Sequence, residues 1–368
     1  MSRLRLLVLV AGAGTLLAGM QGGAAARTGT VPDPPASGIG ETRALELLSV
    51  AAQAGRTRTY RGTQYVSTWR ADTASSDVAD IRHTPATGSV VQVRPTADRT
   101  EPADDAQSVT SATDLDVRLL QLLADHYQLQ QAGNERCTGR TAHVVEALRP
   151  GVDGPAAVAG RFWVDAASGL VLRREVFDTG GRLVRSSAFT DLTIDPAPHA
   201  AGSASPAGAS SPVALAAAPG ALPTDALDAL RRDGWQIPAD LTGDLQLFDA
   251  RVRSHDGRQV LHLSYSDGLS TLSLFAQRGR LGSGPMHGFA KQKVGSAGSA
   301  PVWVRTANPE RVVWGGGGQV FTLLSDAPPE SVRAAVTALP HDRAPRTGLL
   351  ARLQRGLARL GSWLNPFG

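Results

Sequence analysis

Between Val158 and Ile194 the chain holds three strand-length runs and no room for a helix between them. The runs are Val158–Val164, Leu170–Phe177 and Arg182–Ile194, separated by Ala167-Ser168-Gly169 and Thr179-Gly180-Gly181. A parallel pair needs a crossover of about a dozen residues or more, so connections this short dictate an antiparallel meander. The same logic applies at His262–Phe275, where alternating apolar residues flank Ser266-Asp267-Gly268. An Asp-Gly pair between such runs predicts a tight hairpin.

A second constraint divides the chain. Residues 195–222 are mostly Ala, Pro, Ser and Gly with no charge beyond Asp195, and such a stretch cannot bury a core. We therefore expect two domains, 41–194 and 223–340, joined by a linker at 195–222. Residues 27–40 read as disordered. Arg3 and Arg5, the apolar run Leu6–Gly19 and Ala24-Ala25-Ala26 have the layout of a cleavable secretory signal over 1–26. An exported, extracytoplasmic protein is the expectation.

In the first domain, Ala44, Leu45, Leu48 and Ala51-Ala52 predict a helix over 41–54. From Thr57 to Trp69 the period becomes two. Tyr60, Gly62, Gln64 and Val66 then face one way, and Arg61, Thr63, Tyr65 and Trp69 the other. Strands are expected near 77–83 and 89–94, a loop over 95–112, and a second helix through Leu115, Leu119, Leu122 and Leu123. Tyr127–Gln131 and Arg136–Leu148 read as further strands. In the second domain a short helix is expected at 224–232. Strands should follow at 244–254, 258–265, 269–277, 301–305, 310–314 and 319–324, and a closing helix over Pro328–Leu339.

Chemistry is sparse. Cys137 is the single cysteine, so no disulfide can form within the chain, and its strand setting suggests a buried structural thiol. No Gly-x-Ser-x-Gly elbow or His-Glu-x-x-His occurs. Gly315–Gly318 lacks the Lys and Ser/Thr of a phosphate loop and reads as a flexible hairpin loop. The histidines are dispersed, and Asp114 and Asp116 fit a helix N-cap better than acid–base work. We expect no enzyme, no catalytic residues, no metal and no cofactor. The net charge of +4 comes almost wholly from arginine, Lys291 and Lys293 being the only lysines. The arginines are scattered and not interleaved with aromatics, so nucleic acid is not an expected partner.

Two interaction features remain. A large antiparallel sheet that curls leaves an apolar cleft, for which Tyr60, Tyr65, Val66, Trp69, Phe162 and Trp163 are candidate lining residues with an acyl chain as ligand. At 345–368, Leu350, Leu353, Leu357, Leu360 and Leu364 fall opposite Arg352, Arg355 and Arg359, with Trp363 near the end. Such a basic amphipathic helix suits peripheral contact with an anionic membrane, or packing on its own domain.

Several segments together resemble the RseB/MucB family, regulators of extracytoplasmic-stress sigma factors. They are Cys137-Thr-Gly-Arg-Thr-Ala-His-Val-Val, the run Arg161-Phe-Trp-Val-Asp-Ala-Ala-Ser-Gly-Leu-Val-Leu-Arg-Arg, Asp178-Thr-Gly-Gly, Phe189-Thr-Asp-Leu, Tyr60-Arg-Gly, Ile81-Arg-His and His262–Phe275. The resemblance implies an α+β fold: a half-open antiparallel barrel with covering helices, similar to the lipoprotein carriers LolA and LolB, and a smaller α+β C-terminal domain. It also implies a partner, the ectodomain of an anti-sigma factor, which family members shield from proteolysis until envelope stress releases them. On this reading Tyr265, Ser266, Asp267, Gly268, Leu269 and Ser270 form a sheet edge that contacts the partner. The alternative is a lipid or lipoprotein carrier using the same cleft.

Overall fold

The computed structural model describes residues 37–70, 74–85, 88–94, 115–151, 155–195, 221–242, 244–255, 258–282, 284–294, 301–306 and 310–343. The expected signal at 1–26, most of the linker and the 345–368 tail with Arg352, Arg355, Arg359 and Trp363 lie outside them. The first part runs α1 (Ser37–Thr57), β1 (Tyr60–Trp69), β2 (Ala74–Thr84), β3 (Gly88–Val93) and α2 (Val117–His126). It continues through β4 (Gln128–Cys137), β5 (Arg140–Arg149), β6 (Ala157–Asp165), β7 (Val171–Phe177) and β8 (Leu183–Ile194). All eight strands form one open antiparallel sheet in the order β3-β2-β1-β8-β7-β6-β5-β4.

The second part begins with α3 (Thr224–Arg232) and β9 (Asp240–Leu241), then β10 (Leu245–His255), β11 (Arg258–Ser266), β12 (Thr271–Arg278) and β13 (Ala290–Gln292). It ends with β14 (Val302–Arg305), β15 (Glu310–Gly316), β16 (Gln319–Ser325) and α4 (Pro329–Ala338). This sheet is also eight-stranded and open, ordered β13-β14-β15-β16-β12-β11-β10-β9. Two antiparallel sheets with few helices match the fold class expected. The second has fewer residues than the first but as many strands; β9 and β13 escaped the sequence reading because two or three residues carry no period.

Alternation decides the faces. In β1, Tyr60, Gln64 and Val66 are buried, while Tyr65 and Trp69 on the other parity are 45% and 37% exposed. α1 and α2 cover the inner face with Ala44, Leu48, Leu120 and Leu123 against Val145, Ala159, Phe162 and Val176. α2 starts where expected: Asp116 accepts from the Arg118 and Leu119 N–H groups at 2.7 and 2.9 Å.

Three local expectations need correction. The run 136–148 is two strands, because the chain reverses at Thr138-Gly139, both at positive φ (52° and 73°). Thr138 tolerates that conformation because its Oγ1 donates to the Phe189 carbonyl at 2.7 Å. Cys137 closes β4 half-buried rather than buried, and burial pushes its thiol up. The Gly315–Gly318 run is no flexible loop. Gly317 and Gly318 make a two-residue hairpin turn at φ 60° and 77°, and Gly315 and Gly316 sit within β15. A Cβ on Gly316 would collide with the Pro340 carbonyl. The chain after α4 crosses there: the Asp342 N–H donates to the Gly315 carbonyl at 2.7 Å, and His341 stacks on Trp314 at 5.9 Å.

Candidate functional site

The expected hairpin at Ser266-Asp267-Gly268 forms between β11 and β12, but its connection is four residues long, with Ser266 paired to Thr271 across it. Asp267 organises it: Oδ1 accepts from the Leu269 and Ser270 N–H groups at 2.8 and 2.6 Å. Ser266 Oγ donates to the Ser270 carbonyl at 2.7 Å and accepts from the Gly268 N–H at 2.9 Å. With its polar groups satisfied from within, the connection can enter an apolar environment.

It enters the first sheet. Gly268 lies at φ 86° against α2, and any Cβ there would collide with the backbone of Leu123 and Leu119. Leu269 is 1% exposed and belongs to the first sheet's core, pressed on Gly160, whose missing side chain makes the room. Tyr127 Oη donates to Asp267 Oδ2 at 2.7 Å. Burial, then the Asp267 charge, pushes that phenol well up, so it remains a donor. Arg174, deep on the same face, is pushed down by burial, while Asp326 and Asp267 oppose the shift.

This corrects the expected edge. Tyr265, Ser266, Asp267, Leu269 and Ser270 are all buried, and β11 and β12 are both interior strands. No strand can be added there; the connection holds the two sheets together. Alternation along a strand says which residues turn inward, not which body they turn into.

The expected lipid cleft is corrected too. Tyr60, Val66 and Phe162 turn inward, and Tyr65, Trp69 and Trp163 lie on the opposite face. Tyr60 packs on Phe189 and stacks on His83 at 5.0 Å; Phe162 is in the packed core under α1 and α2. Trp163 lies under Arg173 at 4.7 Å and donates to Glu135 at 2.8 Å. Six residues on two faces cannot line one cleft, and helices and Leu269 fill the inner face.

The open space lies elsewhere. A cleft of about 590 Å³ runs between the outer end of β1, the β7–β8 turn, β13 to β15 and α4. Val302, Val304 and Val312 line it from the second sheet, Val332 and Val336 from α4 and Val294 from the chain after β13; Trp69, Leu183 and Val184 line it from the first sheet. Of the six predicted residues only Trp69 reaches it.

Two polar contacts between the sheets border the cleft. Arg70 pairs with Glu310 at 2.9 Å, and the Thr179 N–H donates to Glu330 at 3.1 Å. Asp178 anchors the β7–β8 turn. Burial raises its pKa, but the Arg182 and Gly180 N–H groups and the Arg182 guanidinium outweigh that and hold it low. Sequence reading missed all of these because the two walls are more than a hundred residues apart. The only local signal was the valine-rich pattern of β14 and β15.

Among the described residues, no group of three or more His, Cys, Asp or Glu could hold a metal ion, and no helix is long and apolar enough to cross a membrane. His143 bonds Asn134 at 2.7 Å, His83 bonds Ser89 at 2.8 Å, and His262 stacks on Phe275 at 4.3 Å.

The family profile described as the MucB/RseB N-terminal domain matches residues 80–210. Among solved structures, the Pseudomonas aeruginosa MucA/MucB complex is 21% identical, covering 83% of this chain and 100% of that one, with a TM-score of 0.40. MucB alone is 20% identical over 82% of this chain and 99% of its own, with a TM-score of 0.44. A LolA superfamily protein from Nitrosomonas europaea is 12% identical, covering 42% of this chain and 94% of that one, with a TM-score of 0.19. No curated protein matches.

Proposed function

We propose, for a chain whose residues 80–210 match the MucB/RseB N-terminal domain, a regulator that binds the ectodomain of an anti-sigma factor outside the cytoplasmic membrane and controls its proteolysis. The family match over the strands from β2 to β8 carries this reading. The Arg140 and Trp163 strands and the Asp178 turn, where the resemblance is strongest, all fall inside it. The secretory layout of 1–26 supports a place on the required side of the membrane, and the basic tail at 345–368 would keep it near the surface through Arg352, Arg355, Arg359 and Trp363.

The partner contact does not use the buried 265–270 connection. That connection sets the relation between the sheets, and β13, a short exposed edge, offers open backbone groups for an added strand.

The test is a pull-down of the cognate anti-sigma ectodomain with the full chain, followed by digestion with the protease that makes the first cut. Retention and slowed cleavage are expected. No retention, or cleavage at the unprotected rate, would overturn the reading. The alternative, a lipid or lipoprotein carrier, is favoured by the presence of a cleft alone and predicts that cargo moves between vesicles in the presence of the protein.

A further inference from the structure

We propose that the outer face of the second sheet is a docking surface for an acidic amphipathic helix of a partner protein. This goes beyond the regulator reading and does not rest on it. The cleft lies on the opposite side of the sheet, where Val302, Val304 and Val312 belong to the core face.

Register defines the outer face. Leu261, Leu274 and Phe321 point into the core, and α3 and α4 pack on that side through Leu227, Leu230, Val332 and Val336. Alternation turns the residues between them outward. These are Val260 and His262 in β11, Phe275 in β12, and Val320 and Leu324 in β16. Neither α3 nor α4 covers them. Val260 and Leu324 are each 8% exposed, Phe275 and Val320 are half-buried, and His262 stacks on Phe275 at 4.3 Å. Each shows little surface alone; together they make an apolar strip across three adjacent strands. Leu281 and Asp342 close the strip at the Gly315 end.

Charge selects the occupant. Arg251 and Arg253 of β10, with Arg258 at the start of β11, stand on one side of the strip. Arg305 of β14 and Arg311 of β15 stand on the other. The acids are fewer. Asp249 accepts from Arg251 at 2.7 Å, Asp342 sits at the Gly315 end, and Asp326, at the far end, acts on the buried Arg174 of the first sheet. An entering segment therefore meets positive charge on both flanks of an apolar floor.

Geometry selects a helix. β11, β12 and β16 are interior strands, so the floor has no open backbone groups for an added strand. β10 and β15 are four strand spacings apart, about 19 Å at about 4.8 Å each. A helix with its side chains is about 10–12 Å across. It fits between the rims with its apolar stripe on the floor and a carboxylate on each flank within reach of a guanidinium. The chain's own tail is the wrong sign, because Arg352, Arg355 and Arg359 would set like charge against both rims.

The probe is a fluorescein-labelled peptide of about 18 residues, with leucine at i, i+3, i+4 and i+7 and glutamate and alanine elsewhere. Its anisotropy is followed on titration with the full chain. Saturable binding is expected, at least tenfold tighter than for a shuffled isomer without the apolar stripe. A lysine-for-glutamate analogue should not bind. Arg253→Glu and Arg311→Glu, on opposite rims, should each weaken the probe about fivefold, and Thr322→Glu, on the half-buried floor, about tenfold. Arg253 is exposed, so its variant keeps the test decisive if exchange at Arg311 costs stability. Arg82→Glu on the first sheet and Arg355→Glu in the tail should leave binding unchanged. No saturable binding, equal affinity for the isomer or the lysine analogue, or unchanged affinity in Arg253→Glu and Thr322→Glu would overturn the proposal. So would equal weakening by Arg82→Glu, which marks attraction to net charge alone, or loss confined to Arg355→Glu, which places the peptide on the tail.

Discussion

The two sheets have equal strand counts but complete their cores in different ways. The second closes on itself: α4, the helix-flanking Trp235 and Ile237, and the 340–342 crossing over Gly315-Gly316 all come from its own sequence. The first does not. Its inner face is covered by α1 and α2, and the remaining gap over Gly160 is filled by Leu269 of the second sheet. A sheet that borrows a core residue depends on its neighbour, so the interface of the first sheet is part of its fold. On the other flank the sheets meet through Arg70–Glu310 and Thr179–Glu330 and leave a cleft. One flank is packed, and the other leaves open space.

The strongest way to break the comparison is Gly268→Ala. The substitution strains a backbone at φ 86° and collides with α2. It should cost about 4 kcal/mol and split thermal unfolding into two transitions, the first sheet melting first. A single, slightly shifted transition in calorimetry would show that the first sheet needs nothing from the second.

Leu269→Ala keeps the backbone but empties the gap over Gly160. A loss of about 3 kcal/mol is expected in denaturant unfolding, with faster amide exchange in β6 and α2 and little change in β15 and β16. Equal loosening of both sheets would count against one-sided dependence.

The second sheet has a weakness of its own at low pH. Burial, reinforced by Arg253 and Arg251 against Asp249, lowers the His262 pKa from 6.5 to about 4. The folded pKa lies below the unfolded one, so the fold favours the neutral ring. That stability is complete above pH 6.5 and is lost as pH falls from 6.5 towards 4, about 3 kcal/mol in all. His262→Gln should flatten this part of the stability–pH curve; an unchanged curve would locate the acid sensitivity elsewhere.

Tyr127→Phe is the mildest test. It leaves Asp267 Oδ2 buried without its phenol donor and should cost about 1–2 kcal/mol with the fold unchanged. A neutral result would mean that Leu269 alone holds the connection.

Much of the local structure was legible. The β1 alternation, the Asp116 cap and the β6–β7–β8 meander each depend on neighbours in sequence, and periodicity reports neighbours. The Thr138 turn was not legible, because the Phe189 carbonyl that stabilises it is 51 residues away. Gly315-Gly316 looked like flexibility, although the feature it serves is a close crossing by Pro340. The candidate cleft residues were chosen by aromatic character, which does not distinguish the two faces of a sheet, and Trp163 and Phe162 are adjacent and therefore opposed.

By itself, the sequence determined that the chain builds antiparallel sheets and the family to which the first is similar, because alternation and turn residues act within a few residues of each other. Only the tertiary structure decided that Asp267–Ser270 is a buried tenon and that the open cavity lies between the sheets. Both are contacts between surfaces built from distant segments, and burial by a distant segment leaves no period in the sequence that it covers.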